Sequence, residues 1–199
     1  MLKNKTKIYI IPGFAETARM KNYKEIKSIA KNFGFKTVSV KINWNKNKTV
    51  SHYIQEVKRQ IPAGEHSTIL GFSFGAFIAY NIAKEYKFSD FIFCTISPYF
   101  KTNLKEIPSK SKKYFGRKFI NDLNKYKINS GTKNRAWFLV GDQDWNLAIK
   151  TNLKTREKWA GKSDFIIVKK AGHELSPSNY VKEVRKIFEV VWINLKSGI

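Results

Sequence analysis

The stretch STILGFSFG, residues 67–75, decides the fold class of this chain. Its first six residues are mostly apolar or β-branched and predict a buried strand. The pattern Gly-x-Ser-x-Gly follows at Gly71 to Gly75, and the apolar run 74–86 predicts a helix directly after Ser73. A serine between two glycines at such a turn is typical of a nucleophile elbow, because a Cβ at either flanking position would crowd it. The alternative is an ordinary tight turn in which the serine caps the helix.

Apolar runs alternate with helical periodicity on both sides of this stretch. Strands are predicted at 6–11, 36–42, 67–72, 90–97, 136–141 and 164–169, and helices at 17–33, 50–61, 74–86, 145–160 and 180–196. The first helix is expected to bury Met20, Tyr23, Ile26 and Ala30. This alternation predicts an α/β fold: one three-layer domain over 1–199, with a six-stranded parallel sheet and helices on both faces.

Residues 99–135 break the alternation. They hold eleven Lys and Arg against the two acids Glu106 and Asp122, a local net charge of +9, with a helix-like stretch near 118–126. A connection this long within a compact domain predicts a lid-like insertion. It is either a solvated lysine-rich flap or a surface that attracts an anionic substrate or an acidic carrier protein.

The three histidines differ in where the predicted sheet places them. Ser73 and His173 both follow strands, and the carboxyl ends of parallel strands lie along one edge of the sheet. His52 and His66 are not at that edge and are expected to be solvated. A serine hydroxyl needs a neighbouring base to become a nucleophile, so we expect Ser73 and His173 to act together.

A carboxylate is needed behind the base, and Asp142 and Asp144 both follow the fifth predicted strand. Either aspartate can serve; Asp142 can instead cap the next helix or hold its loop. The oxyanion of an acyl-transfer site also needs N–H donors. The backbone N–H groups of Phe74, after the nucleophile, and of Phe14, after Pro12-Gly13, are the candidates, although Pro12-Gly13 also suits an ordinary turn.

Over essentially its whole length the chain resembles the α/β-hydrolase superfamily, on the elbow, Pro12-Gly13-Phe14, Gly141-x-x-Asp144 and Gly172-His173. The resemblance implies that Asp144 is the acid and that the strand order is 2-1-3-4-5-6. It also implies a minimal version, without the family's first two antiparallel strands and without a full cap domain at 99–135. Pro12 departs from the pattern, because many members have a histidine there that braces the loop.

These residues predict a serine esterase that cleaves a carboxylic ester of a small-molecule substrate through an acyl-enzyme. Ser73 attacks, His173 transfers the proton, Asp144 orients His173, and no metal or organic cofactor is expected. One alternative is a thioesterase or methyl esterase that acts on acyl groups held by acyl carrier protein. The other is a non-catalytic binding protein that retains the fold.

Net charge, cysteine count and the length of apolar runs narrow the class of protein further. The net charge of +23 suggests affinity for anions, but the lysines are spread along the chain without an arginine-rich or aromatic-interleaved stripe. Nucleic-acid binding is therefore not predicted. A single cysteine, Cys94, excludes an intrachain disulfide and is expected to be a small buried hydrophobe. No apolar run approaches the length of a membrane span, so a cytoplasmic enzyme is expected.

Overall fold

The structure is a computed structural model that describes residues 6–45, 47–129, 131–175 and 178–197. The strands are β1 (Lys7–Ile11), β2 (Lys36–Ser39), β3 (Ser67–Phe72), β4 (Ser89–Cys94), β5 (Ala136–Gly141) and β6 (Ser163–Val168). The helices are α1 (Lys21–Asn32), α2 (Val50–Lys58), α3 (Phe74–Ile82), α4 (Ser109–Asp122), α5 (Asn146–Glu157) and α6 (Ser178–Ser197).

The six strands form one sheet in the order β2-β1-β3-β4-β5-β6, and every neighbouring pair is parallel. This confirms the predicted α/β class and the strand order that the resemblance implied. Because all strands run in one direction, the loops after β1, β3, β4, β5 and β6 meet at one edge. The fold thereby brings together segments that are far apart in the sequence.

Both faces of the sheet are covered, as the nearly continuous apolar strands require. Side chains alternate along β1: Ile8 and Ile10 belong to the core under α1 and α6, whereas Tyr9 and Ile11 belong to the core under α2 and α3. Cys94 is fully buried in the first of these cores, as expected for a small hydrophobe.

Two of the differences from the predicted element bounds have a clear local cause. Met20 is 46% exposed, so its predicted place on the buried side of α1 is wrong. The chain turns before the helix, with the Met20 N–H donating to the Thr17 carbonyl, and α1 begins only at Lys21. The strand predicted at 90–97 ends at Cys94, because Thr95 has a φ of 51°, which is incompatible with extended backbone.

The lid-like segment 99–135 contains a longer helix than predicted. Helix α4 begins directly after Pro108 and is broken at Gly116, where φ is 78° and ψ is 166°, so the predicted stretch near 118 corresponds to its second half. The inner side of the lid-like segment belongs to the core through the buried residues Phe100, Ile107, Phe115, Phe119 and Leu123. The segment therefore combines a core-packed inner face with a lysine-rich outer face.

The lid-like segment is also tied to α2 by polar contacts. The Asp122 carboxylate accepts hydrogen bonds from the Ser51 N–H at 2.6 Å and the Ser51 hydroxyl at 3.0 Å, and it pairs with Lys125. These contacts hold the end of α4 against the body of the protein.

Among the helices described, none is both long enough and apolar enough to cross a bilayer.

Candidate active site

Ser73 occupies a strained turn between β3 and α3. Its φ is 53° and its ψ is −116°, a conformation that costs about 1–3 kcal/mol for a residue with a side chain. A Cβ on Gly71 would lie 2.6 Å from the Ala76 Cα, and one on Gly75 would lie 2.2 Å from the Ile11 carbonyl oxygen. The turn therefore needs glycine on both sides, as the elbow pattern predicts.

The structure brings Ser73, His173 and Asp144 into one chain of contacts. The Ser73 Oγ lies 2.8 Å from His173 Nε2, and His173 Nδ1 lies 3.1 Å and 3.2 Å from the two carboxylate oxygens of Asp144. The Asp144 side chain is fully buried, and that of His173 is one-third exposed. A buried carboxylate, an imidazole and an accessible hydroxyl in this order can transfer the hydroxyl proton to the ring.

Asp142 makes different contacts. Its Oδ1 accepts a hydrogen bond from the Ala171 N–H at 3.4 Å, and its Oδ2 lies 3.9 Å from Lys169 Nζ. It thus links the loops after β5 and β6 by a side-chain-to-backbone bond. A Cβ on Gly141 would lie 2.1 Å from the Ala171 carbonyl oxygen, so glycine allows these two loops to approach closely. That approach places Asp144 beside His173.

Trp145 is a neighbour of His173 that the sequence did not single out. Its backbone N–H donates to Asp144 Oδ1 at 2.8 Å, and its indole nitrogen lies 3.2 Å from His173 Nδ1 with the two rings edge to face. The imidazole tautomer that accepts a proton from Ser73 carries its own proton on Nδ1 and donates it to Asp144. In that tautomer the indole acts on His173 by packing and limits the rotation of the ring.

Ser97 places a second hydroxyl beside Ser73. Its Oγ lies 3.0 Å from the Ser73 Oγ, and its N–H donates to the Ser73 carbonyl at 3.2 Å. The buried side chain of Asn152 bonds both backbone groups of Ile96, at 2.9 Å and 3.1 Å, and thereby fixes the residue before Ser97. The sequence signal was its position at the end of the fourth predicted strand, 90–97, on the same edge as Ser73 and His173.

The two predicted oxyanion donors lie on neighbouring elements. Phe74 is the first residue of α3, where the N–H has no acceptor within the helix and the helix dipole favours negative charge. Phe14 follows β1, which pairs with β3, and a Cβ on Gly75 would lie 2.5 Å from the Pro12 carbonyl oxygen. The loop that carries Phe14 thus runs directly against the start of α3, and the Phe14 and Phe74 rings are 5.9 Å apart.

An aromatic cluster fills the space between this loop, α2, α3 and α4. It consists of eight rings, and the centroid of each lies within 6.5 Å of the centroid of at least one other member: Phe14, Trp44, Tyr53, Phe74, Tyr99, Tyr114, Phe115 and Phe119. Three of its members come from the lid-like segment's helix, and Tyr114 is half exposed. Burial raises the pKa of Tyr99 to about 12, so this phenol stays neutral at physiological pH. The cluster makes the surroundings of the candidate oxyanion donors apolar.

The remaining titratable candidates lie elsewhere. His52 and His66 are exposed, as expected for solvated histidines. Within the described part of the chain, no three His, Cys, Asp or Glu side chains are grouped so that they could hold a metal ion.

Comparison with known proteins identifies the fold. No protein-family model matches the chain, and no curated protein matches it in sequence. Solved structures do match, among them α/β-hydrolase domain-containing protein 10 from mouse, with a TM-score of 0.76 and 15% identity over 98% of this chain and 92% of that one. Est1E from Butyrivibrio proteoclasticus has a TM-score of 0.71 and 10% identity over 96% and 89%. The monoacylglycerol lipase of Paleococcus ferrophilus has a TM-score of 0.65 and 13% identity over 94% and 96%. The chain therefore has the fold of the α/β-hydrolase superfamily.

Proposed function

We propose that this protein is a serine hydrolase that cleaves a small carboxylic ester through an acyl-enzyme. The observation that carries the proposal is the contact chain from the Ser73 Oγ through His173 to the buried Asp144 carboxylate, on a backbone turn of positive φ. The names of the structural neighbours, which include an esterase and a lipase, agree with this reaction class. At their low identity they support the fold rather than the substrate.

The mechanism follows from where protons and electron pairs can move. The Ser73 Oγ attacks the ester carbonyl carbon while His173 Nε2 takes the hydroxyl proton, and the Asp144 carboxylate stabilises the resulting imidazolium. The carbonyl oxygen becomes an oxyanion held by the Phe14 and Phe74 N–H groups. As the oxyanion collapses, the bond to the leaving alcohol breaks, and His173 returns the proton to that alcohol. Water then attacks the acyl-enzyme by the same route, releasing the acid and restoring Ser73.

The aromatic cluster favours short acyl groups. Its rings touch one another beside the oxyanion donors, with Phe74, Phe115 and Phe119 buried, so a long chain has to open ring contacts. Each such contact is worth about 0.5–1.5 kcal/mol, so we expect kcat/KM for p-nitrophenyl laurate to be at least about tenfold below that for the butyrate. A series of p-nitrophenyl esters from acetate to palmitate measures this.

Phe115→Ala is the matched variant for the ester series. Phe115 lies 4.9 Å from Phe14 and 4.5 Å from Phe119, so its removal opens the cluster without touching the Ser73 contact chain. We expect the acyl-chain length that gives the highest kcat/KM to be greater in this variant than in the wild type. An unchanged optimum in the variant, or a wild type that prefers laurate, contradicts the assignment of the cluster as the acyl-binding surface.

A second candidate substrate is an acyl group on an acidic carrier protein, as a thioester or a methyl ester. The outer face of α4 exposes Lys110, Lys113, Arg117 and Lys118. Tyr114, on the same helix, lies 6.0 Å from the Phe14 ring. The positive face is therefore continuous with the apolar surroundings of the site, where it would attract a negatively charged carrier.

Replacing Lys110, Lys112 and Lys113 with glutamine is expected to lower kcat/KM toward an acidic acyl carrier substrate and leave p-nitrophenyl acetate hydrolysis unchanged. The charges act on encounter, and their field is screened over about 8 Å at physiological salt, so the wild-type preference should fade as salt rises. The control variant changes Lys24 and Lys31 on α1 and Lys182 on α6 to glutamine. It removes the same number of charges from a different surface of the protein. Equal effects of the two variants would show that net charge, not this face, matters.

A cytoplasmic location belongs to the same proposal. The one cysteine, Cys94, is buried in β4 and has no second cysteine with which to form an intrachain disulfide. The protein therefore does not need an oxidising compartment for its stability.

A further inference from the structure

The loop that carries Phe14 lacks the histidine that braces it in many proteins resembling this one, because Pro12 stands in its place. The structure contains a different brace. The Gly13 N–H, directly before Phe14, is shared between two acceptors: the Tyr23 hydroxyl oxygen at 3.0 Å and the Glu16 Oε2 at 3.2 Å. The Tyr23 hydroxyl in turn donates to the same Glu16 oxygen.

The three groups of the brace form a closed set of hydrogen bonds that is largely buried. Tyr23 is fully buried in the core under α1, and Glu16 is half-buried. Burial and the neighbouring Glu16 carboxylate raise the pKa of the Tyr23 phenol, which therefore remains a hydrogen-bond donor across the working pH range. A buried donor without a partner costs about 1–3 kcal/mol, so these groups hold each other in one arrangement.

The main chain on the far side of Phe14 is fixed as well. The Glu16 N–H donates to the Gly13 carbonyl at 3.1 Å, and the Trp44 indole donates to the Glu16 carbonyl at 2.8 Å. Between these anchors Ala15 has a φ of 60°, which the surrounding bonds must maintain. Phe14 thus sits in a short loop whose backbone is bonded both before and after it.

In the described part of the chain, the Phe14 N–H takes part in none of the backbone hydrogen bonds of this loop. Its direction is nevertheless determined, because its own peptide group is held through the Gly13 carbonyl and the preceding peptide group is held through the Gly13 N–H. A fixed donor with no protein acceptor is what an oxyanion site requires, since preorganised N–H groups stabilise charge that develops only in the transition state.

We propose that Tyr23 and Glu16 are positioning residues that hold the Phe14 N–H in place as an oxyanion donor. The proposal rests on the proposed ester hydrolysis. It differs from a purely structural role in one respect: loosening the loop should weaken binding of the transition state and leave binding of the substrate unchanged.

The test uses Tyr23→Phe, which keeps the buried ring and removes the hydroxyl, with Tyr86→Phe as the matched control. Tyr86 is also buried, and its hydroxyl donates to the Ile61 carbonyl away from the catalytic edge. Four quantities are measured: the rate of amide hydrogen exchange at Gly13, kcat and KM for p-nitrophenyl acetate, and the affinity of a trifluoromethyl ketone. The serine adduct of this ketone places an alkoxide between the oxyanion donors.

We expect Tyr23→Phe to accelerate exchange at Gly13 and to lower kcat by about tenfold with KM unchanged, because small displacements of a positioned group are costly in the transition state. The trifluoromethyl ketone should lose affinity by the same factor, and Tyr86→Phe should change none of the four quantities. Unchanged exchange at Gly13, unchanged kcat despite faster exchange, or an equal kcat loss in Tyr86→Phe would overturn the inference.

Glu16 provides a second series in case Tyr23→Phe folds poorly. Glu16→Ala removes the shared acceptor and should reproduce the loss in kcat, whereas Glu16→Gln keeps an amide oxygen for both donors and should restore most of it. Equal losses in the two Glu16 variants would overturn the inference. A wild type that cleaves no ester removes the proposed function, whereas an active wild type with full turnover in Tyr23→Phe and Glu16→Ala removes the positioning role alone.

Discussion

Ser73→Ala is expected to lower kcat for p-nitrophenyl acetate by about 10⁵-fold or more, because only the Ser73 hydroxyl forms the acyl-enzyme in the proposed mechanism. The hydroxyl it removes contacts His173 Nε2 and Ser97 Oγ, and alanine fits the space without a clash. The fold should survive, since the backbone bond from the residue 73 N–H to the Cys94 carbonyl is kept. Steady-state kinetics together with a thermal melt measure both quantities.

Ser67→Ala is the control for this variant. Ser67 lies at the other end of β3, and its buried hydroxyl bonds Ser89. We expect this variant to lose some stability and keep its kcat. Retention of more than a few per cent of activity by a clean Ser73→Ala preparation would remove Ser73 from its role as nucleophile.

Asp144→Asn is expected to lower kcat by about 10⁴-fold, whereas Asp142→Asn should leave turnover near that of the wild type. The Asp144 carboxylate is buried and lies 3.1 Å from His173 Nδ1, while Asp142 bonds the Ala171 N–H. An asparagine at 144 preserves shape, but its amide group favours the imidazole tautomer that cannot accept the Ser73 proton. Steady-state kinetics of the two variants, with a melt to confirm folding, check the ranking.

The reverse ranking of the two aspartate variants would move the acid to Asp142. Equal and small effects would mean that His173 works without an orienting carboxylate. In either case the Ser73 and His173 assignments would have to be judged by their own variants.

The sheet was predictable because its strands are short, continuous apolar runs separated by turn residues and helical patterns. Strands β3 and β5 begin and end where the apolar runs do. The pairing of Ser73 with His173 was predictable for a topological reason, since both follow strands of one parallel sheet. Choosing Asp144 over Asp142 required the resemblance, because two aspartates two residues apart share the same local pattern.

Features that depend on tertiary packing were not predictable from local pattern. The sequence of the lid-like segment is polar and lysine-rich, and only the folded chain shows Phe119 packed against Phe74 and Phe115 stacked on Phe119. The brace joins Gly13, Glu16 and Tyr23 through the turn that leads into α1, and nothing in their spacing marks it. Ser97 was missed because the predicted strand 90–97 included it, and Trp145 was missed because its contacts with Asp144 and His173 arise only in the folded chain.

The central claim, that Ser73 is an activated nucleophile, is tested most directly by labelling the protein with a fluorophosphonate probe. Such a probe reacts with a serine hydroxyl that an adjacent base can deprotonate, and it does not need the natural substrate. Intact mass and peptide mapping should show one adduct, on Ser73, in the wild type and no adduct in Ser73→Ala. A folded wild type that takes up no probe, or that carries the adduct on another residue, would contradict the account and favour a binding protein that retains the fold.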